Sequence, residues 1–158
     1  DTKIGRNVGV ARHALAIDEH RTDFMPTVWE LRENMDLQQV WFAGAHSNVG
    51  GSYKPDKDGS LLSDITLGWM AKQAQASGLA IEAHLEQNLR QNPMATLHNS
   101  RRSFYRIKEK YHRQINHEKG PILIHQSVKS RWDQDPKYRP KNLEDYVAEH
   151  GWPETFIE

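Results

Sequence analysis

Apolar residues in the first part of the chain recur at helical spacing. Ile4, Val8, Ala11 and Leu15 follow one another at intervals of four, three and four, which predicts a helix with one buried face. Gly5 and Gly9 weaken its start, and Pro26 forces the chain off any helical course. Thr27–Leu31 fits either a short strand or a packed loop. Gln39–Gly44 reads as a strand. It is rich in β-branched and aromatic residues and apolar on both faces from Val40 to Ala43, as a strand covered on both sides should be. Ser63 suits the N-cap of a following helix, Asp64 suits its first turn and Gly78 its end. Ile81, Leu85 and Leu89 predict a further helix over 81–90, closed by Asn92-Pro93. Ile122–His125 predicts a short packed run, and Ser127–Trp132 a short helix. The segment after it, with Asp135-Pro136 and Arg139-Pro140, reads as extended. The last residues, 144–158, read as a tail that need not be ordered.

Composition narrows the classes. A chain of 158 residues suits one domain, and 37% hydrophobic against 27% charged residues leaves a thin core. Five Trp, five Tyr and four Phe offset this with large buried areas per residue. Twenty-one basic and 21 acidic residues give zero net charge, against the basic footprint of a nucleic-acid binder. The absence of Cys excludes a disulfide scaffold, a thiolate metal site and a cysteine nucleophile. No apolar run reaches the ~20 residues of a membrane span, and no signal-peptide pattern opens the chain. The compartment is left open between the cytoplasm and a secreted effector.

Charge is uneven along the chain. Between Asn99 and Lys119, Arg101, Arg102, Arg106, Lys108, Lys110, Arg113 and Lys119 face only Glu109 and Glu118. Such a stretch suits an anionic membrane surface, or simply a solvated face. Phe104, Tyr105 and Tyr111 interleave with the charges, which also suits RNA, but the neutral overall balance argues against nucleic acid. His112 and His117 are expected in solvent, and His125 as a satisfied buried histidine. His13 and His20, with Asp18 and Glu19 nearby, stand seven residues apart. On a helix that is two turns, too far to share an ion, so no metal or other cofactor is expected.

The residues with the clearest chemistry follow the predicted strand: Gly44-Ala45-His46-Ser47-Asn48-Val49-Gly50-Gly51. Ligand sites of open α/β sheets lie outside the carboxyl ends of strands. An imidazole there suits general acid–base work, and the glycines allow a tight turn and close approach of a ligand. The plain alternative is a polar loop cap with His46 bonded to nearby backbone. The chain holds no Gly-x-Ser-x-Gly elbow, no P-loop and no Gly-x-Gly-x-x-Gly fingerprint, so a full Ser-His-Asp set cannot be assembled from it.

Several blocks together resemble a known family. They are Val10–Arg21, Phe24–Trp29, Val40–Tyr53, Leu62–Ile65 with Trp69-Met70, Ile124–Val128 and Tyr138–Leu143. In order and spacing they are similar to the α/β-hydrolase-like family DUF2235, which includes type VI secretion phospholipase effectors of the Tle1 group and many fungal proteins. The resemblance implies an α/β-hydrolase-like fold with few strands and several helices in this segment. It also implies a serine-type ester hydrolase, a (phospho)lipase, with His46 as the triad base and Ser47, Asn48, Gly50 and Gly51 shaping the loop or binding substrate. The family's elbow Ser and acid precede the matched blocks. Residues 1–143 are therefore expected to be the carboxyl-terminal portion of such a domain, inactive alone and partnered by the remainder upstream. Apolar surface around Val40–Phe42 would then await that remainder. Expected partners are a lipid or other ester, and an anionic membrane through Arg101, Arg102, Arg106, Lys108, Lys110 and Arg113. The family usually has Asp where this chain has Asn48. That departure and the missing nucleophile keep a second reading open, a non-catalytic binding or scaffold domain on the same framework.

Overall fold

The computed structural model describes residues 2–101, 107, 109–116 and 118–158. Its elements run β1 (Val10–Ala16), a 3-10 turn (Thr22–Phe24), β2 (Asp36–Phe42), α1 (His46–Gly50), α2 (Leu62–Ala76), α3 (Ala83–Asn88), β3 (Leu123–Ile124), α4 (Gln126–Gln134) and α5 (Lys141–His150). The strands form a parallel sheet in the order β1-β2-β3, with Leu15 opposite Trp41 and Ala16 opposite Phe42. The molecule is an α/β fold, as expected.

Alternation along the strands divides the core in two. Leu15, Ile17, Trp41, Ala43 and Ile124 face one side, where Val128 of α4 and Leu143 and Tyr146 of α5 close over them. Ala16, Val40 and Phe42 face the other, beneath Val49 of α1 and Leu62, Ile65 and Trp69 of α2. Successive side chains of a strand point to opposite faces, so a doubly apolar run requires helices on both. Val40, Trp41 and Phe42 are no more than 3% exposed. The apolar surface expected to await an upstream segment is thus covered by this chain's own helices.

The first element corrects the helical reading. Residues 10–16 are a strand, because Ala14-Leu15-Ala16-Ile17 is an unbroken apolar run that only a strand between two helical layers buries on both sides. The 4-3-4 spacing of the larger residues was coincidental. Thr27–Leu31 is a packed loop: the Gln39 side chain accepts from Trp29 N at 2.7 Å and donates to Trp29 O at 2.9 Å. Helix α2 starts after Leu61, which pairs with Gln91, so Ser63 lies inside it and is not its N-cap. Gly78 ends α2 as expected. With φ of +93°, it donates to Gln75 O while Leu79 donates to Ala74 O, the paired bonds of a Schellman motif. Helix α3 is shorter than expected, since Asp64 accepts Arg90 N at 2.8 Å and draws that end away.

The end of the chain is not loose. Helix α5 carries Leu143, fully buried, and Ile157 returns to extend the outer edge of β3, donating to Ile124 O and accepting from Gln126 N. His125 sits between β3 and α4 as the helix N-cap. Its Nδ1 accepts from Ser127 N at 3.1 Å and lies 2.8 Å from Ser127 Oγ, the satisfied buried histidine the sequence suggested. Burial, and then the charge of Lys72, push its pKa down to about 4.

Two outcomes follow. Tyr146→Ala should cost about 3–5 kcal/mol in urea denaturation, as for a core aromatic; a disposable tail would show almost no change. His125 is depressed in the fold, so the stability it contributes is present above about pH 6.5, the ordinary histidine value. It should fade as pH falls toward about 4. Stability measured across that window should fall less steeply in His125→Asn.

Candidate functional site

Strands β1 and β2 end side by side, and the turns that follow them are locked together by two consecutive carboxylates. Asp18 Oδ2 accepts Gly44 N at 2.6 Å and Tyr138 Oη at 3.1 Å. Glu19, with no exposed surface, accepts Arg21 N and Nε on Oε1 at 3.0 and 2.8 Å. Its Oε2 accepts Arg21 Nη2 at 2.8 Å and His46 N at 3.2 Å. Burial raises both pKa values at first. For Asp18 burial prevails over the opposing bonds from Gly44 and Tyr138. For Glu19 the bonds from Arg21, Ser100 and His46 N outweigh it and bring the carboxyl down to about 2.

The turn held in this way is glycine-dependent at one point. Gly44 has φ of +112°, and a Cβ there would lie 2.4 Å from the Asn48 Cβ. The backbone then enters α1, with His46 as its first residue. This segment is a short helix, where the sequence suggested an irregular loop. The His46 side chain is exposed and its ring meets the Phe24 ring edge-on at a centroid distance of 5.0 Å. On Phe24 the Arg21 guanidinium lies 3.8 Å from the ring centroid.

His46 borders an open cleft of about 650 Å³ between the flank of β1, the 23–26 turn, α1 and α2. Its lining is mainly apolar, with Met25, Val49, Leu67 and Met70 in it, and Gly50 and Gly51 also border it. A Cβ at either glycine would meet nothing within 4 Å, so both leave the space beside His46 open. The structure therefore brings His46, Gly50 and Gly51 together.

Asn48 is elsewhere. It is buried, with Oδ1 accepting from Ala45 N at 3.3 Å and His98 N at 3.1 Å, and Nδ2 donating to Thr96 O at 3.1 Å. It shapes the loop by tying α1 to residues 96–98, away from the imidazole. Ser47 is half-buried beside it.

The other proposed site residues separate. Arg113 is not available to a membrane: it is 4% exposed and donates from Nη1 to Ala16 O at 2.9 Å and from Nη2 to Phe24 O. Its guanidinium ties the end of β1 to the 3-10 turn. Arg101 and the exposed Lys110 line a smaller cavity with Asp18 and His20. Arg102, Arg106, Lys108 and His117 lie outside the described residues. His112 is half-buried against His20 rather than solvated, with ring centroids 5.0 Å apart. His13 pairs with Gln39 and His20 with Tyr111 O. Among the described residues no group of three or more His, Asp or Glu is placed to hold a metal. No described helix is long and apolar enough to cross a membrane. Sequence reasoning missed Glu19 and Asp18 as the residues that seat the His46 turn. A carboxylate pair directly after an apolar run, with Arg two positions on, was the available signal.

Asn48→Asp tests this geometry. The acid in its charged form cannot donate to Thr96 O, so folding should weaken by about 1–3 kcal/mol at neutral pH. Thermal melts of the two proteins at pH 7 measure it.

Comparison with known proteins gives one family. Residues 1–73 match the model of the catalytic domain of Tle1-like type VI secretion phospholipase effectors. The matched stretch contains β1, β2, the two carboxylates and the whole His46 turn, while the blocks at 124–143 lie outside it. No curated protein and no solved structure matches the chain. Over the stretch that carries its candidate site, the chain is similar to a phospholipase catalytic domain.

Proposed function

We propose that this chain is part of a serine-type ester hydrolase acting on phospholipid, with His46 as the general base. The family match supports a phospholipase-type function. The observation that carries the finer reading is the imidazole of His46, exposed at the mouth of an open cleft and seated at the carboxyl end of the central strand. A scaffold that kept only the framework would have no need to leave that ring unsealed beside two glycines.

In this reading the reaction is acyl transfer. A serine presented across the cleft attacks the ester carbonyl carbon. His46 takes the hydroxyl proton as the C–O bond forms, then delivers it to the departing alcohol oxygen as the ester bond breaks. A water molecule repeats the two proton transfers and frees the acid. In this reading, the chain is the carboxyl-terminal portion of the domain, its last residues included in the same core, and the nucleophile and acid come from chain that precedes it. Of the six basic residues expected at a bilayer, Arg101 and Lys110 are described and lie outside the core, and Lys110 is exposed.

His46→Ala in the full reading frame should lower phospholipid hydrolysis by about 10²–10⁴-fold with the melting temperature kept. The isolated 158 residues should release no fatty acid from phosphatidylglycerol vesicles. Full activity in the alanine variant, measured by fatty-acid release, would remove His46 from the mechanism.

A further inference from the structure

We propose that Glu19, Arg21 and Phe24 form a positioning device for His46, holding it at its backbone and at its ring from one buried carboxylate. This rests on the reading of His46 as the base. The problem it answers is physical. An exposed imidazole on the first residue of a five-residue helix has several rotamers open to it unless a neighbour holds it, and general-base catalysis needs one orientation.

The device has two arms. Along the first, Glu19 Oε2 accepts His46 N at 3.2 Å, so the main chain of the base is fixed to the end of β1. Along the second, the same carboxylate grips Arg21 through Nε, Nη2 and the main-chain N–H. The bidentate pair fixes the plane of the guanidinium. The guanidinium lies 3.8 Å from the centroid of Phe24, and Phe24 meets the His46 ring at 5.0 Å and 61°. A cation over one aromatic and a tilted ring pair are both attractive geometries. Phe24 is half-buried, and its main-chain O is held from the other side by Arg113. The imidazole therefore rests against Phe24 while it borders the cleft. Glu19 stays ionised down to about pH 2, so the grip persists wherever an imidazole can act as base.

Neither Glu19 nor Arg21 touches the cleft contents, so both act through His46. Phe24 is different in part, since it also lines the cleft. For that reason the test must separate orientation from substrate contact.

The experiment uses full-length protein labelled with ¹³C-histidine, the His46 ring signals being assigned with His46→Gln. Phe24→Leu should displace the His46 Hδ2 and Hε1 resonances as the aromatic ring current is lost. It should lower kcat on a short-chain ester by roughly ten- to a hundredfold, with KM changed by no more than about twofold. Phe24→Tyr, which keeps the ring, should restore both. Glu19→Gln keeps an acceptor for His46 N but loses the charge that grips Arg21. It should shift the same resonances and lower kcat less than Phe24→Leu does. Unmoved His46 resonances in Phe24→Leu, or a loss of activity carried by KM or by the melting temperature, would overturn the proposal. Failure of the base reading would look different: His46→Ala would keep full hydrolysis, while the ring resonances would still report whether the two arms hold the imidazole.

Discussion

The structure turns on two adjacent carboxylates at the end of β1. Asp18 and Glu19 leave the strand on opposite sides, and each takes a main-chain N–H from the turn after β2. A carboxylate without partners in a protein interior would be driven to its neutral form. Here the two have different solutions. Glu19 has a guanidinium, the main-chain N–H groups of Arg21 and His46 and a bond from Ser100, and is strongly ionised, while Asp18 has an N–H and a phenol and is pushed the other way by burial. Breaking either bond would leave a main-chain N–H of the turn without its partner, so each acid fixes the turn at a separate point. The consequence is a turn with little freedom, made tighter by Gly44, whose position no Cβ could share with Asn48.

That constraint links the two halves of the core. Helices α1 and α2 lie on one face of the sheet, α4 and α5 on the other, and among the described residues three strands separate them. Tyr138, which precedes α5, reaches Asp18 beneath the sheet edge. Asp18 in turn holds Gly44, from which α1 departs. Asn142 reinforces this by donating to both Ile17 O and Arg113 O. The far end of the chain thus bears on the residues just before His46. Within 144–158, Tyr146 joins the same core layer and Ile157 pairs beside β3, so that stretch is not a tail either.

What the sequence made legible follows from the range of the forces involved. Strand β2 was readable because Val40–Ala43 is apolar without interruption and short. The end of α2 was readable because Gly78 satisfies carbonyls only a few residues away. The turn around His46 was recognisable as chemistry because a His among glycines after a strand is a local pattern. Strand β1 was misread, since its length and neighbours are decided by β2, 26 positions on, while Ile4, Val8, Ala11 and Leu15 mimic a helical stripe. Ser63 was assigned a cap that the Leu61–Gln91 pairing took away. Long-range partners of this kind carry no mark in a single sequence. Glu19 is the sharpest case: as text it stands in a charged cluster, and only the fold shows it beneath the base.

The same distinction applies to the basic residues. A thin apolar fraction suggested a small core with charges left outside. Two of those charges are inside. Arg113 meets Ala16 O at the end of the edge strand, and Arg131 donates from Nη1 to Pro93 O and Ala95 O at 2.8 Å each while lying over Tyr138. At both places a guanidinium does what a further strand or helix would do in a larger domain, satisfying carbonyls that irregular chain cannot pair. Its planar fork reaches two acceptors at once, and its methylene stem adds apolar contact that a thin core lacks. Arg113 also holds Phe24 O, so the wall against which the His46 ring rests depends on a residue that composition alone would have placed at a membrane. A charge count along a sequence therefore overstates the surface available to an anionic partner wherever arginines close the backbone from within.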